Sequence, residues 1–410
     1  MSLRTTATPE AAVSRDDNHL PSFQPTAEPH VVHIVPALFG ASGTVGGAER
    51  YALELARHMA AHVPTTLVTF AEQAREEQLG PLRIKVLRCD WHVRRQEHNP
   101  MAFALIPELL RADVVHCHQQ HVVASSVAAA VARVSGRRIF VSDLGGGGWD
   151  ISAYVSTDRW YHGHLHISEY SRHHSGHSGK PWAHVIYGGV DTDKFRPATR
   201  ETTTAPRPIL FVGRLLPHKG VNDLVDAATP EMPVELLGRA GDDAFLRELH
   251  RRASGKMVTF RHDCSDDDLV TAYQRAACVV LPSVYRTMYG AESAVPELLG
   301  QTLLEGMASG IPAVCTRVAS MPELVENGVT GFVLPPNDPP ALRNTLRWLM
   351  AHPDDASTMG AAGRRHVLDR FQWNTVVEKC LHIYGQVIPP RAFNRAPPRR
   401  TLRESANGPK

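Results

Sequence analysis

A chain of 410 residues, 43% hydrophobic and 21% charged, is ordinary for a globular protein and too long for one compact core, so two domains are expected. Its 44 basic and 42 acidic residues leave a net charge of +2, which excludes a global field that would recruit nucleic acid or an anionic membrane; any anion site must be local. No stretch reaches the roughly 18 apolar residues of a membrane span, and residues 1–29 lack a signal-peptide core, so a cytoplasmic protein without integral membrane contact is expected, peripheral contact staying open. The six cysteines (Cys89, Cys117, Cys264, Cys278, Cys315, Cys380) form no CxxC pair and mostly sit in apolar runs, as free thiols of a reducing cytosol would.

Residues 1–29 are polar and Pro-containing and read as a disordered tail. Val31–Val35 then reads as a buried strand and Gly47–Ala61 as a helix. Between them, GTVGGAER (Gly43–Arg50) carries Gly46 and Gly47, which free the backbone to approach a ligand at a helix start. Thr65–Phe70, Asp113–His118, Arg138–Ser142, Leu165–Ser168 and His184–Tyr187 follow as strands. Trp91–Leu110, with Arg94, Arg95, Met101, Phe103 and Leu109, reads as a domain helix, with a membrane-docking basic and aromatic helix as its alternative. Short apolar strands between helices predict a parallel sheet covered on both faces. The polar, Pro-marked stretch Thr199–Pro208 is a joint, and the pattern restarts beyond it with strands at Pro208–Val212, Val234–Leu237, Met257–Phe260, Cys278–Pro282, Ile311–Cys315 and Gly331–Leu334. The expected organisation is a tail over 1–29, α/β domains over 30–200 and 201–370, a last helix over 371–388 and a disordered basic tail over 389–410. Two such halves leave a cleft, and ligands collect at the carboxyl ends of the strands.

Three segments carry candidate chemistry. In PELLGQTLLEGMASGIP (Pro296–Pro312), Gln301–Ser309 is predicted helical, with Gly310 to end it. Gly300 lets a ligand reach the first-turn amides, which together with the helix dipole favour phosphate or a polarised hydroxyl. Glu297 and Glu305 lie roughly 12 Å apart or less at about 1.5 Å per helical residue. That spacing suits two acceptors gripping one extended ligand better than it suits the roughly 6.5–9.5 Å of an inverting glycosidase pair. In FVGRLLPHKG (Phe211–Gly220), a strand runs into Gly213 and Arg214, and Lys219 precedes the helix Val221–Ala228. Both cations therefore emerge at the sheet's carboxyl edge, where they can neutralise a leaving diphosphate. The third segment is the glycine turn at Gly46 and Gly47, weak by itself.

Taken together these residues resemble glycosyltransferase family 4, the retaining GT-B family. VGRLLPHKG is similar to the family's VGRLxxxKG segment and ELLGQTLLEGMASG to its E-x7-E motif, with weaker echoes in GGAER, DVVHCH, VIYGGVDTDKF, VENGVTGFVLPPND and FQWNTVVEKCLHIY. The resemblance runs from about Val31 to Val387. It implies two Rossmann-like α/β domains whose parallel sheets face across a cleft, the first binding the acceptor and the second a nucleotide-sugar donor, with the last helix crossing back to the first domain. It also implies roles: Arg214 and Lys219 clamp the diphosphate, Glu305 accepts from the ribose and Glu297 from the transferred sugar. Amides near Gly300, Gln301 and Thr302, with Gly213 at the strand end, support sugar or phosphate. His118 stands beside the donor sugar, and Gly46 and Gly47 lie near the diphosphate and acceptor. Retaining transfer without a metal and with no cofactor beyond the nucleotide sugar follows from the same likeness, for a monomer or homodimer.

Departures from the pattern bear on the substrates. Asp143-Leu144-Gly145-Gly146-Gly147-Gly148-Trp149 stands where the family has a histidine; Asp143, Gly145 and Trp149 read either as an acceptor loop for a polyol or amino sugar or as a merely flexible loop. Gly188 replaces the usual asparagine, and VYRTMYGAESAVP before Glu297 adds a loop in which Tyr285, Arg286 or Tyr289 can meet ligand. Seven histidines between His162 and His184 show no standard zinc spacing and read as a cleft-edge or surface segment. A specialised-metabolite acceptor is expected, with a lipid or cell-envelope acceptor as the alternative. A nucleotide-sugar epimerase and a non-catalytic nucleotide-sugar-binding protein are the readings from other classes.

Overall fold

The computed structural model describes residues 29–37, 39–40, 43–44, 46–145, 148–198, 206–293 and 295–387. The expected tails, most of the joint at Thr199–Pro208, and Gly146 and Gly147 of the glycine loop lie outside the described residues.

The first set of strands is β1 (Val31–Ile34), β2 (Thr65–Ala71), β3 (Arg75–Leu79), β4 (Leu82–Arg88), β5 (Val114–Cys117), β6 (Arg138–Val141), β7 (Gly163–His166) and β8 (Ala183–Val185). They form one sheet in the order β8-β7-β6-β5-β1-β2-β4-β3. Every pairing is parallel except that of β3 with β4. The helices α1 (Gly47–Met59), α2 (Leu105–Arg111), α3 (Val123–Ser135) and α4 (Glu169–His174) connect them. Central strands such as β1 and β5 are buried on both faces, which is why they are apolar throughout rather than alternating. The β3–β4 hairpin was not expected. All five residues of β3 are exposed, and its turn is the two-residue Gly80-Pro81, with Gly80 at φ 57°.

The expected helix over Trp91–Leu110 is corrected. Trp91–His92 instead pairs antiparallel with Pro100–Met101 around a 3-10 turn, and only α2 is α-helical. Arg94 and Arg95 take positive φ (52° and 57°), and Pro100 disfavours the helical region at the residue before it, so the apolar spacing here is not that of one helix face.

The second sheet contains β9 (Ile209–Val212), β10 (Val234–Leu237), β11 (Val258–Arg261), β12 (Cys278–Leu281), β13 (Ala313–Thr316) and β14 (Gly331–Leu334), all parallel, in the order β11-β10-β9-β12-β13-β14. Its helices are α5 (Val221–Ala227), α6 (Asp243–Ala253), α7 (Asp266–Arg275), α8 (Gln301–Ala308), α9 (Met321–Leu324), α10 (Pro339–Ala351) and α11 (Pro353–Arg370). Both sheets belong to one compact unit, Pro29–Pro389.

The last helix, α12 (Trp373–Val387), leaves the second sheet and packs on α1. Trp373 meets the rings of Tyr51 (5.4 Å) and His58 (5.6 Å). A Cβ on Gly189 would lie 2.4 Å from the Trp373 ring, so the indole occupies the space a side chain would need. Deeper in, the Tyr384 hydroxyl is 2.7 Å from His116 Nδ1, while His116 Nε2 is 2.9 Å from Ser142 Oγ. Ser142 spends its own proton on the Leu165 carbonyl, so it accepts from His116 Nε2–H, and His116 Nδ1 must accept from Tyr384. Tyr384→Phe therefore strands a buried lone pair, and a loss of about 1–3 kcal/mol is expected in denaturant unfolding; an unchanged midpoint and slope would show the bond to be idle.

Candidate active site

At the carboxyl edge of the second sheet the chain turns twice against its own backbone. Gly213 follows β9, and a Cβ on its neighbour Gly238 would lie 1.9 Å from the Gly213 carbonyl oxygen. A 3-10 turn, Pro217–Lys219, then ends on Gly220 at φ 64°. A Cβ there would sit 1.9 Å from the Pro282 carbonyl oxygen. This tight turn aims Lys219. Its Nζ lies 2.5 Å from Glu297 Oε2, with the two side chains only 18% and 13% exposed. Arg214, two residues after β9, is exposed. Burial raises the pKa of Glu49 in the first turn of α1, opposed by its own backbone amide and then by Arg214, so Arg214 acts across the cleft on the opposite helix.

Gly300 caps α8 at φ 88°, a conformation glycine adopts at little cost. The first-turn amides around Gln301 and Thr302 have no intrahelical partners by construction of any helix. The Gln301 side chain donates to the Gly189 carbonyl at 2.9 Å, and its Oε1 is buried without a partner. One turn on, Glu305 is 4% exposed and accepts from Tyr273 Oη at 2.9 Å. Burial raises its pKa, opposed chiefly by Arg50, then by the Tyr273 bond and Lys194. A cavity of about 260 Å³ opens here, lined by Arg50, Glu54, Lys194, Asp266, Gln301 and Glu305 among others.

On the first domain's side, β1 and β5 pair in a register that sets His33 beside His116. His118 follows β5 and completes a buried group. His33 Nδ1 lies 2.8 Å from His118 Nε2, and His33 Nε2 lies 3.2 Å from Met59 Sδ. Sulfur only accepts, so His33 donates to it through Nε2 and accepts at Nδ1 from His118 Nε2–H. That leaves His118 Nδ1 as a buried lone pair, and it has no partner. Burial pushes His33 down to about 3 and lowers His116 and His118 strongly. His118 is thus held neutral, with its lone pair on a buried Nδ1.

The glycine loop is partly tied down. Gly145 is at φ 80° with its Cβ position 3.3 Å from Leu298 of the second domain, and Asp143 Oδ2 lies 4.0 Å from His121 Nε2. A Cβ on Gly148 would be 2.1 Å from the His121 carbonyl oxygen, so this glycine serves a close approach. Trp149 packs beneath Arg94 at 4.1 Å and against Tyr154. Gly46 caps α1 in extended backbone, and Gly47 begins the helix with open space where a side chain would go. The extra loop folds back on itself through Ser293 N–H to the Tyr285 carbonyl (2.7 Å), and Tyr285 Oη accepts from Ala319 N–H. Across the cleft, the Ser168 hydroxyl donates to the Leu298 carbonyl at 2.8 Å, and the Glu323 carboxylate accepts from the amides of Glu169 and Tyr170.

Lys219 and Glu297 therefore touch, Gln301 and Glu305 share one cavity, and His118 stands in a separate histidine group of the first domain. Sequence reasoning missed Arg50, Lys194 and Tyr273 around Glu305, and His33 and His116 behind His118. Arg50 lay in plain view in GGAER, one residue past the acidic position. The reading of the His162–His184 segment as cleft-edge or surface is corrected for three residues: His164, His166 and His177 are 2%, 4% and 5% exposed, while His173 and His174 are exposed as expected.

Residues 191–366 match the family model described as glycosyl transferases group 1, and residues 45–194 match glycosyltransferase family 4. A GDP-mannose-dependent alpha-(1-6)-phosphatidylinositol monomannoside mannosyltransferase of Mycolicibacterium smegmatis is 33% identical over 227 residues, covering 51% of this chain and 58% of that protein. The chain thus spans about half the length of the curated relatives it matches. Among solved structures, Anabaena Alr3699/HepE in complex with UDP and glucose has a TM-score of 0.69 at 17% identity, covering 88% of this chain and all of that one. Sucrose-phosphate synthase from Thermosynechococcus elongatus gives 0.67 at 20% identity, covering 87% and 98%. These structural likenesses speak for the GT-B fold. With two family models covering adjoining parts of residues 45–366, the chain belongs to glycosyltransferase family 4, the group 1 glycosyl transferases.

Proposed function

We propose that the chain is a retaining, metal-independent glycosyltransferase that moves a sugar from a nucleotide diphosphate donor to a hydroxyl of a small polyhydroxylated acceptor. The observation that carries this reading is the 2.5 Å contact between Lys219 and Glu297, beside the capped end of α8. A sugar–phosphate bond needs a cation on the phosphate and an acceptor on the adjoining sugar hydroxyls, and this pair supplies both at contact distance. The likeness to a structure in complex with UDP-glucose and to a GDP-mannose-dependent mannosyltransferase supports a donor of that class.

In this mechanism Arg214, Lys219 and the α8 amides meet charge as it grows on the leaving diphosphate, in a site partly shielded from water. An oxocarbenium-like sugar forms, the acceptor attacks from the face the diphosphate leaves, and its proton passes to the departing phosphate. Glu297 and His118 Nδ1 accept from sugar hydroxyls, Glu305 accepts from the ribose, and no protein nucleophile takes part. The cationic side chains provide the charge that a divalent ion would otherwise bring. Six free thiols, four of them buried, suit a reducing cytoplasm.

The test is a thermal-shift panel of UDP-, GDP- and ADP-sugars, followed by transfer assays in which NMR reads the anomeric configuration of donor and product. Stabilisation by one class, chelator-resistant transfer and an unchanged configuration are expected. Inverted product, or turnover abolished by chelator in protein that stays folded, would defeat the mechanism.

Glu305→Gln gives a second prediction. A donor hydroxyl bonded to a carboxylate contributes about 1.5–3 kcal/mol, so the donor KM rises about tenfold to a hundredfold with kcat little changed. Because burial raises the Glu305 pKa, the wild-type donor KM should climb on acidification earlier than for an ordinary carboxylate, as protonation removes an acceptor. The glutamine variant should lack that climb. Equal KM values at neutral pH would remove Glu305 from the ribose site.

One observation favours a lipid-linked acceptor as a second reading. Trp91 and Phe103 are exposed and lie 5.3 Å apart, next to Arg94 over Trp149 and the exposed Tyr154. Among the described residues no helix is long and apolar enough to cross a membrane. Cosedimentation with anionic vesicles that is lost in Phe103→Ser would favour this second reading over a freely soluble acceptor.

A further inference from the structure

The two buried histidine groups of the first domain differ in how their nitrogens are used. In the group of His33, His116 and His118, both nitrogens of His33 and both of His116 have partners, and only His118 Nδ1 is left. That set is a hydrogen-bond chain. The second group is His164, His166 and His177, in which one nitrogen from each ring lies within 4.8 Å of one from each of the others. His164 and His166 are two residues apart on β7, so they share one face of the strand. His177 comes from the turn after α4, and Trp182 covers the rings of His164 and His177 at 4.8 and 4.7 Å.

Asp158 holds this group from outside. His164 Nε2 lies 3.0 Å from the Asp158 carbonyl oxygen, and His177 Nε2 lies 3.6 Å from its carboxylate. The carbonyl accepts from His164 Nε2–H, which leaves that ring's lone pair on Nδ1, and the nearby carboxylate favours the same tautomer in His177. His177 Nδ1 then faces His166 Nε2 at 3.1 Å. Two nitrogens bound to one tetrahedral zinc at the usual bond lengths stand about 3.3 Å apart. An outer carboxylate or carbonyl that fixes the tautomer of a ligating histidine is the common companion of such sites.

We propose that His164, His166 and His177 bind one transition-metal ion of the zinc class, oriented by Asp158 and bridging β7 and the 175–182 turn. The ion takes the place between His166 and His177 now filled by the His166 Nε2 proton, which moves to Nδ1 of the same ring. The protein supplies three ligands, and water fills the fourth position. The ion is separate from the sugar chemistry proposed above, so the site stands whether or not that reading does.

The experiment uses the full chain without a polyhistidine tag, stripped with chelator and titrated with Co(II). One equivalent should be taken up with the visible absorption of ordered, four-coordinate Co(II), and thermal unfolding should move upward. His177→Gln and His164→Gln should abolish the absorption. Asp158→Asn, at a partly exposed side chain that touches no ion, should weaken Co(II) binding about 10–100-fold while the spectrum persists at saturation. If the histidine variants do not fold, the wild-type titration and the Asp158→Asn shift decide the matter. No saturable uptake by the wild type overturns the proposal, as does uptake that survives both histidine variants or is lost only in His33→Gln.

Discussion

Lys219→Ala is expected to lower kcat by about 10²–10³ with the fold intact, the cost of removing one fixed charge-stabilising group from a transition state. The ammonium is held by the Pro217–Lys219 turn and packed to 18% exposure, so it needs little reorganisation when the sugar–phosphate bond breaks. Negative charge on the leaving phosphate is greater in the transition state than in the bound donor, so the loss falls on kcat more than on the donor KM. Glu297 loses its counter-charge in this variant, and a companion Lys219→Ala/Glu297→Gln double variant separates that effect from the clamp. If the clamp is right, the double variant stays as slow as the single one. Steady-state rates with circular dichroism for folding read the outcome. Turnover within a few-fold of wild type would reduce the ion pair to a structural contact.

Gly220→Ala should cost about 3–5 kcal/mol, from left-handed backbone strain plus a collision. The collision is the larger part, because the added methyl group would lie 1.9 Å from the Pro282 carbonyl oxygen, a backbone atom at the end of β12 that cannot rotate aside. Gly255→Ala is the matched control: Gly255 has φ 75°, and a methyl group there would meet nothing within 4 Å, so it feels strain alone, about 1–2 kcal/mol. Thermal unfolding should fall by about 6–15 °C for Gly220→Ala and clearly less for Gly255→Ala. Equal falls would mean that the 217–220 turn yields freely, and the fixed aim of Lys219 would go with it.

Much of this was legible in the sequence because it is local. Strands buried on both faces announce themselves as apolar runs, and the Gly300 cap, the helix behind it and the turn bearing Lys219 depend on neighbours a few residues apart. The β3–β4 hairpin was not, since Arg75–Leu79 is an exposed edge of charged residues without apolar alternation. Trp91–Leu110 misled because apolar residues of a short hairpin, a 3-10 turn and a two-turn helix fell by chance at helical spacing. The partners of Glu305 come from α1 and α7, and those of His118 from a parallel register 85 residues apart. Such meetings are set by sheet order, which no window of sequence contains. His164, His166 and His177 looked like surface because histidine density reads as polarity until the strand face that they share is known.

The chain passes between its two sheets twice, and the two passages are bonded to each other. Val190 N–H donates to the Phe371 carbonyl at 2.8 Å, Val190 pairs with Gln372, and Trp373 sits on Gly189. A pair of fastened straps leaves two bodies far less freedom than one loose strap does. Twisting or sliding would tear the seam, whereas folding along it costs only small backbone rotations. The halves should therefore open and shut as a book does on its spine.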